Sequence, residues 1–125
     1  METNKLRTDI KEVKRWVKDN QIEAHVSDSF EKAFQSFKED DDESFQIHFP
    51  SFDKKKLTKT LYQVSLSIVC WGAGQYEQEC IIVYLRIEYD NKHVIDYKEV
   101  FDLDGQTVDD YLKTINVPLR IGGVE

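Results

Sequence analysis

The chain has 125 residues, 40% of them hydrophobic and 12% aromatic, with 17 Lys and Arg against 24 Asp and Glu for a formal charge of -7. This length and apolar content predict one soluble domain over residues 1–125 that folds without a disulfide or a structural metal, and 15 aromatic side chains argue against disorder. No apolar run reaches the roughly 18–20 residues that span a bilayer, and the charges along Met1–Arg15 leave no signal-peptide h-region, so the expected location is cytoplasmic, with no membrane contact.

The charge is unevenly placed. Residues 1–26 have a net charge of +1, residues 27–53 of -6, residues 54–75 of +4 and residues 76–125 of -6. Phosphate binding needs clustered Lys and Arg, so the acid excess argues against direct nucleic-acid contact. The basic spot of Lys54, Lys55, Lys56 and Lys59 between two acidic regions can orient a partner.

From Lys5 to Asp19, Leu6, Ile10, Val13 and Val17 recur at helical spacing, with Trp16 at the edge of the stripe and Asn20 as the stop. Ile22, Ala24 and Val26 alternate with Glu23 and His25, which suits a short extended segment. Asp28 followed by Glu31 is a capping-box pattern opening a second helix, whose Phe30, Ala33, Phe34 and Phe37 share one face. The run Glu39, Asp40, Asp41, Asp42 and Glu43 is expected at or beyond that helix's end, because carboxylates are unfavourable at its negative pole.

The period then changes to two. Phe45, Ile47 and Phe49 alternate with Gln46 and His48 until Pro50, predicting a strand. Two longer strands, Leu61–Trp71 and Tyr76–Tyr89, flank the turn Gly72-Ala73-Gly74-Gln75, and Asp90-Asn91-Lys92 leads to another over His93–Phe101. After the turn at Asp104-Gly105, Thr107 with Asp110 reads as the cap of a short C-terminal helix, with Val108, Tyr111, Leu112 and Ile115 on its apolar side. Residues 117–125 read as a docked or frayed tail. The expected fold class is α+β: an antiparallel meander of about four strands, with two N-terminal helices and a short C-terminal helix packed mainly on one face.

Pairing Trp71 with Tyr76 makes partner numbers sum to 147 and collects Tyr62, Val64, Leu66 and Ile68 opposite Leu85, Val83, Ile81 and Glu79. A three-residue second loop, with partners summing to 182, sets Ile87, Leu85 and Ile81 against Ile95, Tyr97 and Phe101 on the same face. A two-residue loop would bury Asp96 and Lys98 there. The other face carries Trp71, Tyr76, Ile82, Tyr84 and Arg86, with Arg86 opposite Asp96 as an expected ion pair. Aromatic rings and an Arg on an open face have the composition of a protein–protein patch, so these five are the candidate partner-binding residues.

Catalytic and metal signatures are missing from the pattern. Cys70 and Cys80 have opposite parity about the turn, so no bridge is expected and both read as small packing residues. His25, His48 and His93 stand singly, the acidic run lacks the alternating ligands and Gly of a calcium loop, and Gly72-x-Gly74 joins two strands instead of opening a helix. The expectation is a non-enzymatic protein with no catalytic residue, metal or cofactor. Its function would be that of a small acidic binding or inhibitory protein, of the immunity-protein, antitoxin or phage-antagonist kind, contacting another and basic protein. Glu39, Asp40, Asp41, Asp42 and Glu43 would supply acidic contacts. The alternatives are a small-molecule binder with a cavity among Phe30, Phe34, Phe37, Tyr62 and Tyr97, and a homodimer through the open sheet face.

Overall fold

The computed structural model describes residues 10–115. The first predicted turn, with Leu6, and the tail at 117–125 lie outside them. Three helices come first: α1 (Ile10–Asp19), α2 (Ile22–Asp40) and α3 (Asp42–His48). A 3-10 turn at Lys54–Lys56 leads into β1 (Leu57–Trp71), β2 (Tyr76–Tyr89), β3 (Lys92–Phe101) and β4 (Thr107–Thr114). The strands form one antiparallel sheet in the order β1-β2-β3-β4, and the class is α+β.

Three segments differ from expectation. Residues 22–26 are helical: α2 starts at Ile22, after Gln21 in the left-handed conformation, and buries Ile22, Val26, Phe30 and Phe34 at intervals of four. That single stripe outweighs the short alternation. Residues 45–49 are helical too, because Phe45 and Phe49 are also one turn apart; both are buried, while Ile47 between them is 59% exposed. The acidic run, expected at or beyond the end of its helix, spans the end of α2 and the start of α3, with Asp41 closing α2 and accepting from Ser44 N as the cap of α3.

The predicted C-terminal helix is strand β4. Its backbone pairs with β3 from Ile95↔Thr114 to Phe101↔Thr107, satisfying N–H and C=O groups that β3 would otherwise leave bare. Gly105 turns the chain into it with φ 90°, a backbone conformation that L side chains rarely adopt.

The register follows the apolar pattern, with two bulges. Partners sum to 147 from Trp71↔Tyr76 to Gln63↔Tyr84, and a bulge at Tyr62 then sets Leu61, instead of Tyr62, opposite Leu85. The second hairpin has the two-residue turn Asp90-Asn91, both at positive φ, closed by Tyr89↔Lys92. A bulge at Val94 restores Ile87↔Ile95, Leu85↔Tyr97 and Ile81↔Phe101, so the charged side chains are not buried despite the shorter loop.

The core joins the helices to the residues on that apolar face. Phe30 meets Tyr97 edge-on at 5.6 Å, Trp16 meets Phe101 at 5.7 Å, and Phe49 meets Tyr89 at 5.2 Å. Phe34 touches the rings of Phe30, Phe37, Phe45, Phe49 and Phe52. Trp16 also donates its indole N–H to the carbonyl of Leu103 at 3.2 Å.

Candidate functional site

Strand alternation carries Gln78, Cys80, Ile82, Tyr84 and Arg86 of β2 to the face opposite that core, beside Asp96, Lys98 and Val100 of β3 and Asp109, Tyr111 and Lys113 of β4. Beyond Ile81, β2 has lost β3 as a neighbour and pairs with β1 alone, so the end of the hairpin is a two-stranded ribbon. At its tip Trp71 and Tyr76 stack with centroids 5.7 Å apart, and they are 50% and 55% exposed. Ile82 and Tyr84 are half-buried further along the strand. The five candidate partner-binding residues thus share one face, with the first two at its far end and Arg86 toward the middle.

Around Arg86 the face is concave. A groove of about 630 Å³ is lined by residues of all four strands, including Tyr62, Tyr84, Arg86, Asp96, Tyr111 and Lys113. The bulge turns Tyr62 onto this side, where its ring lies 4.2 Å from the Arg86 guanidinium. The expected Arg86–Asp96 ion pair does not form. The two residues are opposite in register, but Asp96 contacts His93 Nε2 at 2.6 Å, and Arg86 Nε is buried without a hydrogen-bond partner among the described residues. Lys98 sits 4.9 Å over the Tyr111 ring. The Tyr111 hydroxyl donates to Asp109 at 2.7 Å, which holds the phenol above its ordinary range and the carboxyl below.

The acidic candidates lie elsewhere. Glu39 accepts from Gln35, Asp42 from Gln46 and Asp41 from Ser44, all within the helical layer, and all five acidic side chains are exposed. They are not brought to the sheet face that carries Arg86. Of the rings proposed to line a cavity, Phe30, Phe34, Phe37 and Tyr97 pack against one another in the core, whereas Tyr62 is on the other face.

One polar cluster escaped the sequence reading. Glu99 is the buried acid, at 1% exposure, opposite Asp110 on β4. Its Oε2 accepts from Thr107 Oγ1 at 2.5 Å and lies 3.0 Å from His25 Nε2; its Oε1 has no hydrogen-bond partner among the described residues. The Thr107 proton is used on Glu99, so the contact of 3.1 Å between Thr107 Oγ1 and His25 Nε2 requires that nitrogen to carry the hydrogen. Both contacts fall on the same ring nitrogen. A nucleophile–base–acid relay needs them on opposite nitrogens, so this geometry orients groups without activating the hydroxyl. The pairing of Glu99 with β4 could have been found only from the strand that the capping pattern concealed.

Comparison of the chain with protein-family models, with curated proteins and with solved structures returned no match. Geometry alone therefore bears on function. Among the described residues no group of three or more His, Cys, Asp or Glu side chains is placed to hold a metal ion, and no helix is long and apolar enough to cross a membrane. Cys70 and Cys80 are free thiols; Cys70 is exposed, which corrects its reading as a packing residue, and Cys80 is buried.

Proposed function

We propose that this protein is a small, non-enzymatic binding or inhibitory protein that acts by protein–protein contact through the second face of its sheet. In this reading the helices take the first face and, among the described residues, the second is left to the partner. The observation that carries this reading is the exposed aromatic pair Trp71–Tyr76, continuous along one face with the Tyr62–Arg86 groove. Aromatic rings and Arg are the side chains that most often dominate binding energy. The -7 charge and the exposed acidic α2–α3 junction favour encounter with a basic protein in the cytoplasm, while the groove offers Arg86, Lys98 and Lys113 to a carboxylate within the contact.

A photoreactive phenylalanine analogue at position 76, activated in the host cell, tests the reading. It should capture one partner, and purified components should then bind with an affinity that falls on Trp71→Ala and Tyr84→Glu and weakens at higher salt. A partner whose affinity is unchanged by both substitutions would overturn it.

A further inference from the structure

The two edges of the sheet are unlike. β4 carries Asp109, Asp110 and Lys113, charges that discourage pairing with another strand. β1 runs for 15 residues, and Gln63–Trp71 has no charge, no Pro and no Gly, and keeps an unbroken register with β2. Among the described residues β2 is its one hydrogen-bonded neighbour, so its outer backbone groups form a free edge. Ile68 is 62% exposed, and Leu66 and Val69 are exposed with it. A long, uncharged, apolar edge of this kind is a template for strand addition.

We propose that β1 pairs antiparallel with β1 of a second copy, joining two sheets into one of eight strands. Charge leaves this edge open to a second copy, and the strand's own pattern selects it. Two copies at -7 repel each other over most of their surface, but β1 has no acidic residue and Lys59 as its one charge, with Lys54, Lys55 and Lys56 just before it. The strand is also self-complementary. A two-fold axis at Ser67 sets Leu66 against Ile68 of the second copy, and Ile68 against its Leu66, forming a four-residue apolar cluster on one face. On the other face it sets Ser65 against Val69 and Gln63 against Trp71, again without a charge. The contact closes at two subunits because the charged β4 edge cannot continue it. This edge is distinct from the groove around Arg86 and shares Trp71 alone with the contact proposed above, so the proposal does not depend on the function assigned there.

Sedimentation equilibrium over the micromolar range should give twice the monomer mass of 14.7 kDa. Ile68→Lys should weaken dimerisation about tenfold or more, since it places a charge on the pairing edge, and Tyr84→Glu should leave it unchanged. Ser67→Cys in a Cys70→Ser, Cys80→Ala background, which removes the thiol that faces position 67 across the hairpin, should form a covalent dimer on mild oxidation, and Lys113→Cys in the same background should not. The crosslink decides the matter even if Ile68→Lys fails to fold. A wild-type monomer overturns the proposal, as does a dimer that Tyr84→Glu dissociates or that Ser67→Cys does not trap.

Discussion

The Arg86 guanidinium rests on the ring of Tyr62, 4.2 Å from its centroid, although a carboxylate, Asp96, stands directly opposite it in the sheet. The bulge at Tyr62 brings the ring to this face, and His93 engages Asp96. A half-exposed cation–π contact contributes about 0.5–1 kcal/mol. Tyr62→Ala should therefore lower stability by about that amount, while Tyr62→Phe, which keeps the ring, should be near neutral. Urea denaturation of the two variants measures the difference.

Phe34 and Ile47 separate the helical from the extended reading of the N-terminal half. Phe34 is buried among five other rings, so Phe34→Ala should cost about 3–5 kcal/mol. Ile47 points away from the core, and Ile47→Ala should stay within about 0.5 kcal/mol. Equal losses at Ile47 and Phe45 in denaturation would restore the strand reading of 45–49.

The same residues show what could be read in advance. β2 and its central pairs were legible because Ile81, Val83, Leu85 and Ile87 alternate over a long segment, whereas the two-residue second turn and the one-residue shifts at Tyr62 and Val94 were not. Phe45 to Phe49 satisfies both periods, and five residues are too few to choose between them. Thr107–Thr114 carries a helical cap pattern, but the open edge of β3 makes it a strand, a tertiary demand with no local signature. At the candidate site, the shared face of Tyr84 and Arg86 followed from parity. The Tyr62 stacking did not, because it depends on a bulge.

Glu99 tests how a buried carboxylate is held in place. Thr107 Oγ1 donates to it at 2.5 Å and His25 Nε2 stands at 3.0 Å, while Oε1 is unpartnered among the described residues. Removing one donor leaves a buried acceptor less compensated, so Thr107→Val should cost about 1–3 kcal/mol, more than its exposed position suggests. In a Glu99→Gln background the charge is gone and the cost of Thr107→Val should shrink. A double-mutant cycle measures that coupling.

Tyr97 should make the fold sensitive to alkali. Burial is the first cause that raises its phenol above the ordinary 10.0, and the hydroxyl's donation to Asp110 at 2.5 Å is the second. The native state therefore keeps the proton that the unfolded chain releases near pH 10. Above that pH the unfolded state binds fewer protons, so stability present below about pH 10 is lost as the pH rises. The urea midpoint should fall between about pH 9 and pH 11, and fall less in Tyr97→Phe. An identical slope in the variant would remove Tyr97 from the account.

The two thiols should report the sheet's local order. Cys70 is exposed near the end of β1, whereas Cys80 is buried on the outer face where β2 begins to gain β3 as a neighbour. Burial pushes the Cys80 thiol up, leaving less of the thiolate that reacts. In the native protein an aromatic disulfide reagent should modify Cys70 rapidly and Cys80 slowly, with both equally fast in denaturant. Because Cys80 is buried in the folded sheet, its rate at fixed pH measures local opening around it. Ile82→Ala, which thins the apolar cover beside it, should raise that rate while leaving Cys70 unchanged. Equal native rates for the two thiols would show that the ribbon and the sheet open together.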